Sequence, residues 1–261
     1  MGLHTGTAVT SGNVAVDVLS GVVVILLVDY LRQHRAWGWL QLVRGSSGLD
    51  APPGLRFAKV MGSGQGGGFG LRPSATHQGL VCVFSDRGSA ERFCSKSGAR
   101  AFIDRAREYW IGMLDVTSCR GTWDQRTWAV SPDRDGVGAV SPVAGRGPVA
   151  SLTRASIRPS SVMAFWRHAP AAQADLATAA GCELAVGLGE APLVRQCTFS
   201  LWEDEVSMAR YAHSGAHRRA VASAYRHEFF SESMFVRMRV LAMEGQWQGR
   251  AFHLTPGVLH G

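Results

Sequence analysis

The most apolar run in the chain, Gly21-Val-Val-Val-Ile-Leu-Leu-Val28, is rich in β-branched residues and predicts a buried strand. From Arg32 to Arg44, the positions of Trp37, Trp39, Leu40 and Val43 give a helical apolar stripe. A Ser/Gly/Pro turn region, Gly45 to Gly54, leads into a strand from Leu55 to Met61. A glycine-rich loop, Gly62 to Gly70, separates it from a strand at Gly79 to Phe84. Asp86 and Ser89 open a helix with Ala90, Phe93, Phe102 and Ala106 on its apolar side. A strand from Trp110 to Ser118 follows.

The same order then recurs. Val149 to Ile157 predicts a strand, and Arg158-Pro-Ser-Ser161 starts a helix carrying Val162, Phe165 and Trp166. Strands are predicted at Glu183 to Leu188 and Gln196 to Leu201. Glu203 and Asp204 put negative charge where a helix begins, and that helix runs through Met208, Tyr211 and Ala212 until Ser214-Gly215 breaks it. A last strand spans Met234 to Leu241.

Three short matches in the same order support a duplication. Gly54 to Gly62 aligns with Gly181 to Gly189, Ser97-Gly-Ala99 with Ser214-Gly-Ala216, and Gly121-Thr-Trp123-Asp-Gln-Arg126 with Gly245-Gln-Trp247-Gln-Gly-Arg250. Each half reads βαββαβ, the ferredoxin-like unit. The expected fold is α+β, with duplicated ferredoxin-like units forming an intramolecular dimeric α+β barrel. The expected division is a disordered leader at 1–13, a first unit at 14–130, a Gly/Pro-rich linker at 131–147, a second unit at 148–250 and a tail at 251–261.

Composition narrows the function classes. With 261 residues, 46% apolar and 18% charged, the chain has material for a sizeable core. The net charge of +7 is carried almost wholly by arginine, the lysines being Lys59 and Lys96. No basic run is dense enough for a nucleic-acid arm, so an anionic surface or bound carboxylates are the better partners for that charge. The eight-residue apolar run is far short of the ~20 residues that span a bilayer. It also lacks the basic start and cleavage site of a signal peptide. Five cysteines, without metal-like spacing, read as buried, reduced thiols in a cytoplasmic protein.

Little conventional catalytic apparatus is visible. Gly62 to Gly70 lacks the Gly-Lys-Ser/Thr ending of a P-loop and reads as a loop over a pocket. There is no nucleophile elbow and no HExxH motif. His217, after the Ser214-Gly215 break, can be presented to a barrel cavity, and Arg100 stands at its position in the first half. A helix-surface or core histidine is the plainer reading. A neutral imidazole is nonetheless the minimum for a proximal haem ligand. Arg154, Arg158, Arg195 and Arg218 are the candidate partners for haem propionates, each also readable as a solvated surface charge. Phe165, Trp166, Phe199, Trp202 and Tyr211 are candidate aromatic walls, each also readable as core.

Several segments carry a resemblance: Leu152-Thr-Arg-Ala-Ser-Ile-Arg-Pro159, Phe165-Trp166, Gly187-Leu-Gly-Glu190, Thr198-Phe-Ser-Leu-Trp202, Met208, Ser214-Gly-Ala-His217 and Ser231-Glu-Ser-Met-Phe-Val-Arg237. Trp37-Gly-Trp39, Gly54 to Lys59 and Gly68-Phe69 add to them. Together they resemble the spheroidene monooxygenase family, the acyclic carotenoid 2-ketolases, from about Val22 to Arg250. The resemblance implies a haem b enzyme that uses O₂ and a reduced ferredoxin to oxygenate an acyclic carotenoid at C2. Two rounds at one carbon would give a gem-diol that loses water to a ketone. The second half also resembles the haem domain of aldoxime dehydratases, which implies His217 as the iron ligand. Gln196, Thr198 and Ser200 share one face of a strand and are the candidate distal proton donors, although the sequence does not say which face points inward. A lipid-soluble substrate further implies a peripheral contact of the arginine-rich surface with the inner membrane face. The competing readings are an aldoxime-dehydratase-like haem lyase and a cofactor-free barrel that binds a small molecule.

Overall fold

The computed structural model describes residues 16–70, 72–95, 97–131, 147–191, 193–213, 215, 226 and 228–255. The expected leader, most of the linker, and His217 with Arg218 lie outside them. The first unit consists of β2 (Val22–Tyr30), α1 (Arg35–Arg44), β3 (Leu55–Gly64), β4 (Pro73–Phe84), α2 (Arg87–Ser95), α3 (Ser97–Ile103) and β5 (Ala106–Gly121). The second consists of β7 (Val149–Ile157), α4 (Val162–Ala177), β8 (Cys182–Ala191), β9 (Arg195–Trp202), α5 (Glu205–Ala212) and β10 (Phe230–Trp247). Short strands β1 (Asp17–Leu19) and β6 (Arg126–Trp128) pair in parallel beside the first unit, and β11 (Arg250–Leu254) extends β10 as a hairpin.

Within the units the strand orders are β5-β2-β4-β3 and β10-β7-β9-β8. The two four-stranded sheets join along β5–β10, a long antiparallel seam, and along β3–β8, a short one at Gly62–Gly189 and Ser63–Leu188. The result is a closed barrel of eight antiparallel strands with helices outside, as the repeat predicts. Its internal symmetry is visible in matched turns. Gly54 and Gly181 hold φ of +77° and +79°, each packed against a helix serine, Ser89 and Ser207. Those serines donate their backbone N–H to the capping carboxylates Asp86 (2.8 Å) and Asp204 (2.7 Å). Asp124-Gln125 and Gln248-Gly249 make two-residue turns with positive φ.

Several elements differ from expectation. The predicted single helix from Asp86 to Ala106 is two helices, and Ala106 already belongs to β5. The second of them, α3, starts at Ser97. The outer strands run further than their apolar cores, because bulges let β10 bend while it pairs with both β5 and β7. What reads as a tail begins as β11, held by alternation that buries Phe252.

The barrel interior is a packed core. Val23, Ile25, Leu27, Phe57, Met61, Val81, Val83, Trp110, Leu152, Val186, Phe199, Met234, Val236 and Met238 fill it, with Trp123, Trp128 and Trp247 also part of this core. Alternation turns positions 79 and 112 inward, and both are glycine because Leu188 and the Trp110 ring occupy the space a side chain would take. The expectation of a ligand cavity inside the barrel is therefore corrected. Room for a ligand must be sought between the sheet and the outer helices.

Candidate active site

The two outer faces are built differently. On the first unit, Val22, Val24, Leu26, Leu80, Phe84, Ile111 and Met113 meet Ala90, Phe93, Ala99 and Phe102 of the helices in a continuous apolar layer. On the second unit, the buried cluster among the described residues consists of Leu176, Trp202 and Met208, with Phe69, Val149, Ala179, Cys182, Ala185 and Tyr211 packed against it. Between Val149 and Ile157, the middle of that sheet face on β7, β8 and β9 is small or polar. Strand alternation and register place Ala185, Ser200 and Ser151 in one row, Gly187, Thr198 and Thr153 in the next, and Gly189, Gln196 and Ala155 in the third. Thr153, Thr198 and Gln196 stay half-buried there.

Gln196, Thr198 and Ser200 thus point toward the helix layer, on this floor, while Cys197, Phe199 and Leu201 enter the barrel core. Phe199, read from sequence as a possible wall of the site, instead packs on Trp110 at 5.2 Å inside the barrel. The three polar residues are not equivalent. Ser200 is buried, shares a hydrogen bond with the Ser151 hydroxyl (2.9 Å) and accepts one from the Trp202 indole N–H (2.9 Å). Thr198 and Gln196 make no side-chain hydrogen bond among the described residues, so their polar groups remain available to a ligand.

Aromatic rings border the floor. At one end Trp202 packs on Tyr211, with ring centroids 5.3 Å apart. Burial raises the Tyr211 hydroxyl well above its ordinary value and pushes the Cys182 thiol up to about 11, so neither ionises at neutral pH. At the other end Phe165 meets Trp166 and Phe230, and the Trp166 indole donates to the Leu193 carbonyl at 3.0 Å. Arg158 lies exposed there, its Nε donating to the Phe230 carbonyl at 3.2 Å. The glycine-rich loop comes across from the first unit. Ser63 Oγ donates to the Gly187 carbonyl (2.6 Å), and Phe69 packs directly on Gly187.

Arg154 and Arg195 belong elsewhere. Arg154 is 1% exposed and lies on the barrel side of β7, bonded to Glu232, with its Nε 3.2 Å from Glu190 Oε1 and the Trp123 ring 5.6 Å away. Asp124 stands 3.7 Å from Arg154 Nη2 and pairs with Lys59, which also meets Glu190 at 3.2 Å. Burial opposes ionisation of Asp124, but Lys59, Arg154 and Arg195 together hold its carboxyl below the usual range. This network closes one end of the barrel and ties the two units. Arg154 is committed there and does not reach the floor, and Arg195 is exposed on the same side of β9 as Cys197. Of the sequence candidates, the structure brings together Gln196, Thr198 and Ser200, with Trp166 and Arg158 at one edge.

Ser151, Thr153 and the glycines of β8 are floor residues that the sequence reading missed. Their signal was the alternation Ala150-Ser-Leu-Thr-Arg154, polar on one face and apolar or paired on the other. Among the described residues no group of three or more His, Cys, Asp or Glu side chains is disposed to hold a metal ion, and no helix is long and apolar enough to cross a membrane. All five cysteines are free.

Haem, the group implied by the resemblance, would meet this floor as its lower surface. Gly189 and the alanines leave a flat face beside Phe69, which covers Gly187, aromatic rings stand at both ends, and an exposed arginine is at hand for a carboxylate. The residues present therefore fit a planar apolar macrocycle with an acidic edge.

No protein-family model matches the chain. It is 47% identical over 232 residues to the spheroidene monooxygenase of Rubrivivax gelatinosus, spanning 88% of this chain and 86% of that one. It is 30% identical over 223 residues to the spheroidene monooxygenase of Rhodobacter capsulatus, spanning 82% and 87%. A crystal structure of an aldoxime dehydratase in complex with butyraldoxime superposes with a TM-score of 0.51 at 13% identity, covering 84% of this chain and 79% of that one. That last likeness is one of fold.

Proposed function

The chain belongs to the spheroidene monooxygenase family, and on that premise we propose that it is a monooxygenase that oxygenates an acyclic carotenoid at C2 to a 2-keto product. The observation that carries this reading is identity along almost the whole of both chains. The floor described above supports it, because a long apolar substrate needs a face without large polar side chains.

In this proposal the floor of β7, β8 and β9 holds haem b, with His217 as the iron ligand and Arg158 as partner of a propionate. Bound there, haem supplies an iron that activates O₂ when a ferredoxin-type donor provides electrons. The chain's own residues do the rest. Gly189 keeps the face flat, and Gly187 lets Phe69 pack down beside it. Thr198 Oγ1 and Gln196 Nε2 are the groups able to hold a proton next to the reacting oxygen. Ser200 positions the Trp202 ring through its hydrogen bond. Phe69 and Phe165 exclude water and give the polyene apolar surface. A second hydroxylation of the same carbon, followed by loss of water, yields the ketone.

The test is an absorption spectrum of the protein supplied with haemin, wild type beside His217→Ala, followed by turnover of spheroidene with reduced ferredoxin and O₂. A Soret band that is lost or shifted in the variant, with a keto-carotenoid product from the wild type, is expected. No Soret band in either protein would remove haem from the reading, and a band without carotenoid product would remove the substrate.

A further inference from the structure

Helix α1 carries an apolar stripe that faces away from the protein. Ala36, Trp39, Leu40 and Val43 are spaced 3, 1 and 3 residues apart and share one face. All four are exposed, Trp39 by 50%, Leu40 by 44% and Val43 by 80%. Leu31, just before the helix, is exposed as well. The stripe cannot roll inward, because the opposite face is fixed. Trp37 makes edge contacts with Tyr30 (5.8 Å) and Phe102 (5.1 Å), and Gly38 sits so tightly on the Tyr30 ring that a Cβ there would stand 2.7 Å from it. Gln41 is buried behind them. By contrast, the exposed side of α2 carries the pair Arg87–Glu91, and Met163 of α4 and Val206 of α5 are exposed singly.

The charge within the segment that carries the stripe has one sign. No Asp or Glu occurs from Leu31 to Leu49, while Arg32, Arg35 and Arg44 lie exposed at its two ends. Arg105 stacks on Trp37 with 4.5 Å from its guanidinium carbon to the ring centroid, and Arg107 is two-thirds exposed beside the same end. The acids flanking the segment are Asp29, which is buried and paired with Arg107, and Asp50, while Asp104 stands 3.9 Å from Arg100. An indole and two aliphatic side chains ringed by arginines suit the boundary between lipid headgroups and acyl chains. There the ring partitions into the interface and the guanidinium groups meet lipid phosphate. The chain's net charge of +7 favours the same partner.

We propose that the outer face of α1 is the surface by which this protein docks on an anionic lipid bilayer. Its position makes the contact useful. Leu42 of α1 borders Gly62, whose added Cβ would lie 3.8 Å from Leu42 Cδ1, and Gly62 pairs across the seam with Gly189 of the floor. Docking through α1 sets the edge of the floor beside the membrane, where a lipid-soluble substrate resides. The usefulness of that placement rests on the function proposed above, but the docking itself does not.

The test is co-sedimentation of the full chain with carotenoid-free vesicles, either phosphatidylcholine alone or phosphatidylcholine with an equal part of phosphatidylglycerol. Two variants accompany the wild type: Trp39→Glu with Val43→Glu, and Arg32→Gln with Arg35→Gln. The wild type is expected to bind the anionic vesicles in a salt-sensitive way. The apolar double variant should lose about tenfold or more in partitioning, and the arginine double variant about tenfold on anionic vesicles only. An unchanged urea midpoint in both shows that they remain folded. Equal binding to neutral vesicles, binding unaffected by either variant, or no sedimentation would each overturn the proposal. Self-association of the wild type that Trp39→Glu abolishes, without vesicle binding, would assign the stripe to a second copy of the chain. Because no carotenoid is present, failure here is separate from failure of the proposed oxygenation.

Discussion

The Phe69 ring, carried on a loop of the first unit, packs on the backbone of Gly187 in the second: a Cβ at position 187 would stand 2.7 Å from Phe69 Cδ1. The contact explains two features together. Gly187 is a glycine because an aromatic ring occupies its side-chain space, and the glycine-rich segment is long because it must reach the opposite unit. Gly187→Val should push the loop off the floor at a cost of about 1–3 kcal/mol, the usual range for overpacking. Phe69→Ala should cost less in stability and raise KM for an apolar substrate. Urea unfolding and steady-state turnover, measured on both variants, check the two halves of this expectation.

The Arg154 network at the barrel end gives a second prediction. Its guanidinium is 99% buried, and Glu232 and Glu190 are its partners. Arg154→Met leaves those carboxylates facing an apolar side chain and should destabilise the fold by about 3–5 kcal/mol. Arg154→Met with Glu232→Gln should recover part of that loss, because one stranded charge is removed with its partner. A double-mutant cycle in urea measures the coupling, and additive effects would show that the pair does not act as a unit.

The same network fixes a pH dependence. Burial alone would raise the Glu232 carboxyl, but the Gln125 N–H, the Thr122 hydroxyl and Arg154 outweigh it and hold the carboxyl below its ordinary value. Asp124 is lowered likewise. A carboxyl depressed in the folded state contributes stability that is present above its unfolded pKa, about 4 for these groups, and is lost as pH falls through the lower folded value. The urea midpoint should therefore fall below about pH 4 more steeply in the wild type than in Glu232→Gln. Equal slopes would mean that other carboxyls dominate acid unfolding.

Gly54 and Gly181 were legible from sequence as matched positions, and their left-handed φ values show why both are glycine. The strand and helix order was legible for a related reason. Alternation in segments such as Thr198 to Leu201 and the paired Asp-x-x-Ser starts at Asp86 and Asp204 are local signals. What escaped is non-local. Arg154 looked like a candidate for a bound carboxylate because nothing nearby in sequence announces Glu190 or Glu232, which arrive from other strands. The direction of Gln196, Thr198 and Ser200 was undecidable for the same reason. A strand's two faces become inside and outside only when the second sheet closes the barrel, and here the packed interior leaves the candidate floor outside it.

Replacing either glycine tests how evenly the two units share the fold. A Cβ at 54 or 181 would meet the serine of the following helix at 2.5 Å, in a conformation that costs a non-glycine residue roughly 1–2 kcal/mol. Gly54→Ala and Gly181→Ala should each lower stability by at least that amount. If the second unit's helix layer is completed by a bound cofactor, Gly181→Ala alone should also reduce Soret intensity after haemin is added.

Thr198 and Ser200 sit two residues apart on the same strand face, and their surroundings assign them different tasks. Ser200 is buried and already bonded to Ser151 and to the Trp202 indole, so Ser200→Ala should act on the fold. Leaving the indole N–H without an acceptor costs about 1–3 kcal/mol. Thr198 is half-buried, and its hydroxyl has no partner among the described residues. Thr198→Val keeps the shape and removes the hydroxyl. It should leave stability and haem uptake nearly unchanged, and lower turnover by about 10²-fold if that hydroxyl delivers a proton during oxygen activation. Urea unfolding, haem titration and carotenoid turnover on the two variants separate the roles. A Thr198→Val protein with full activity would move proton delivery to Gln196, the other polar group of the floor without a partner among the described residues.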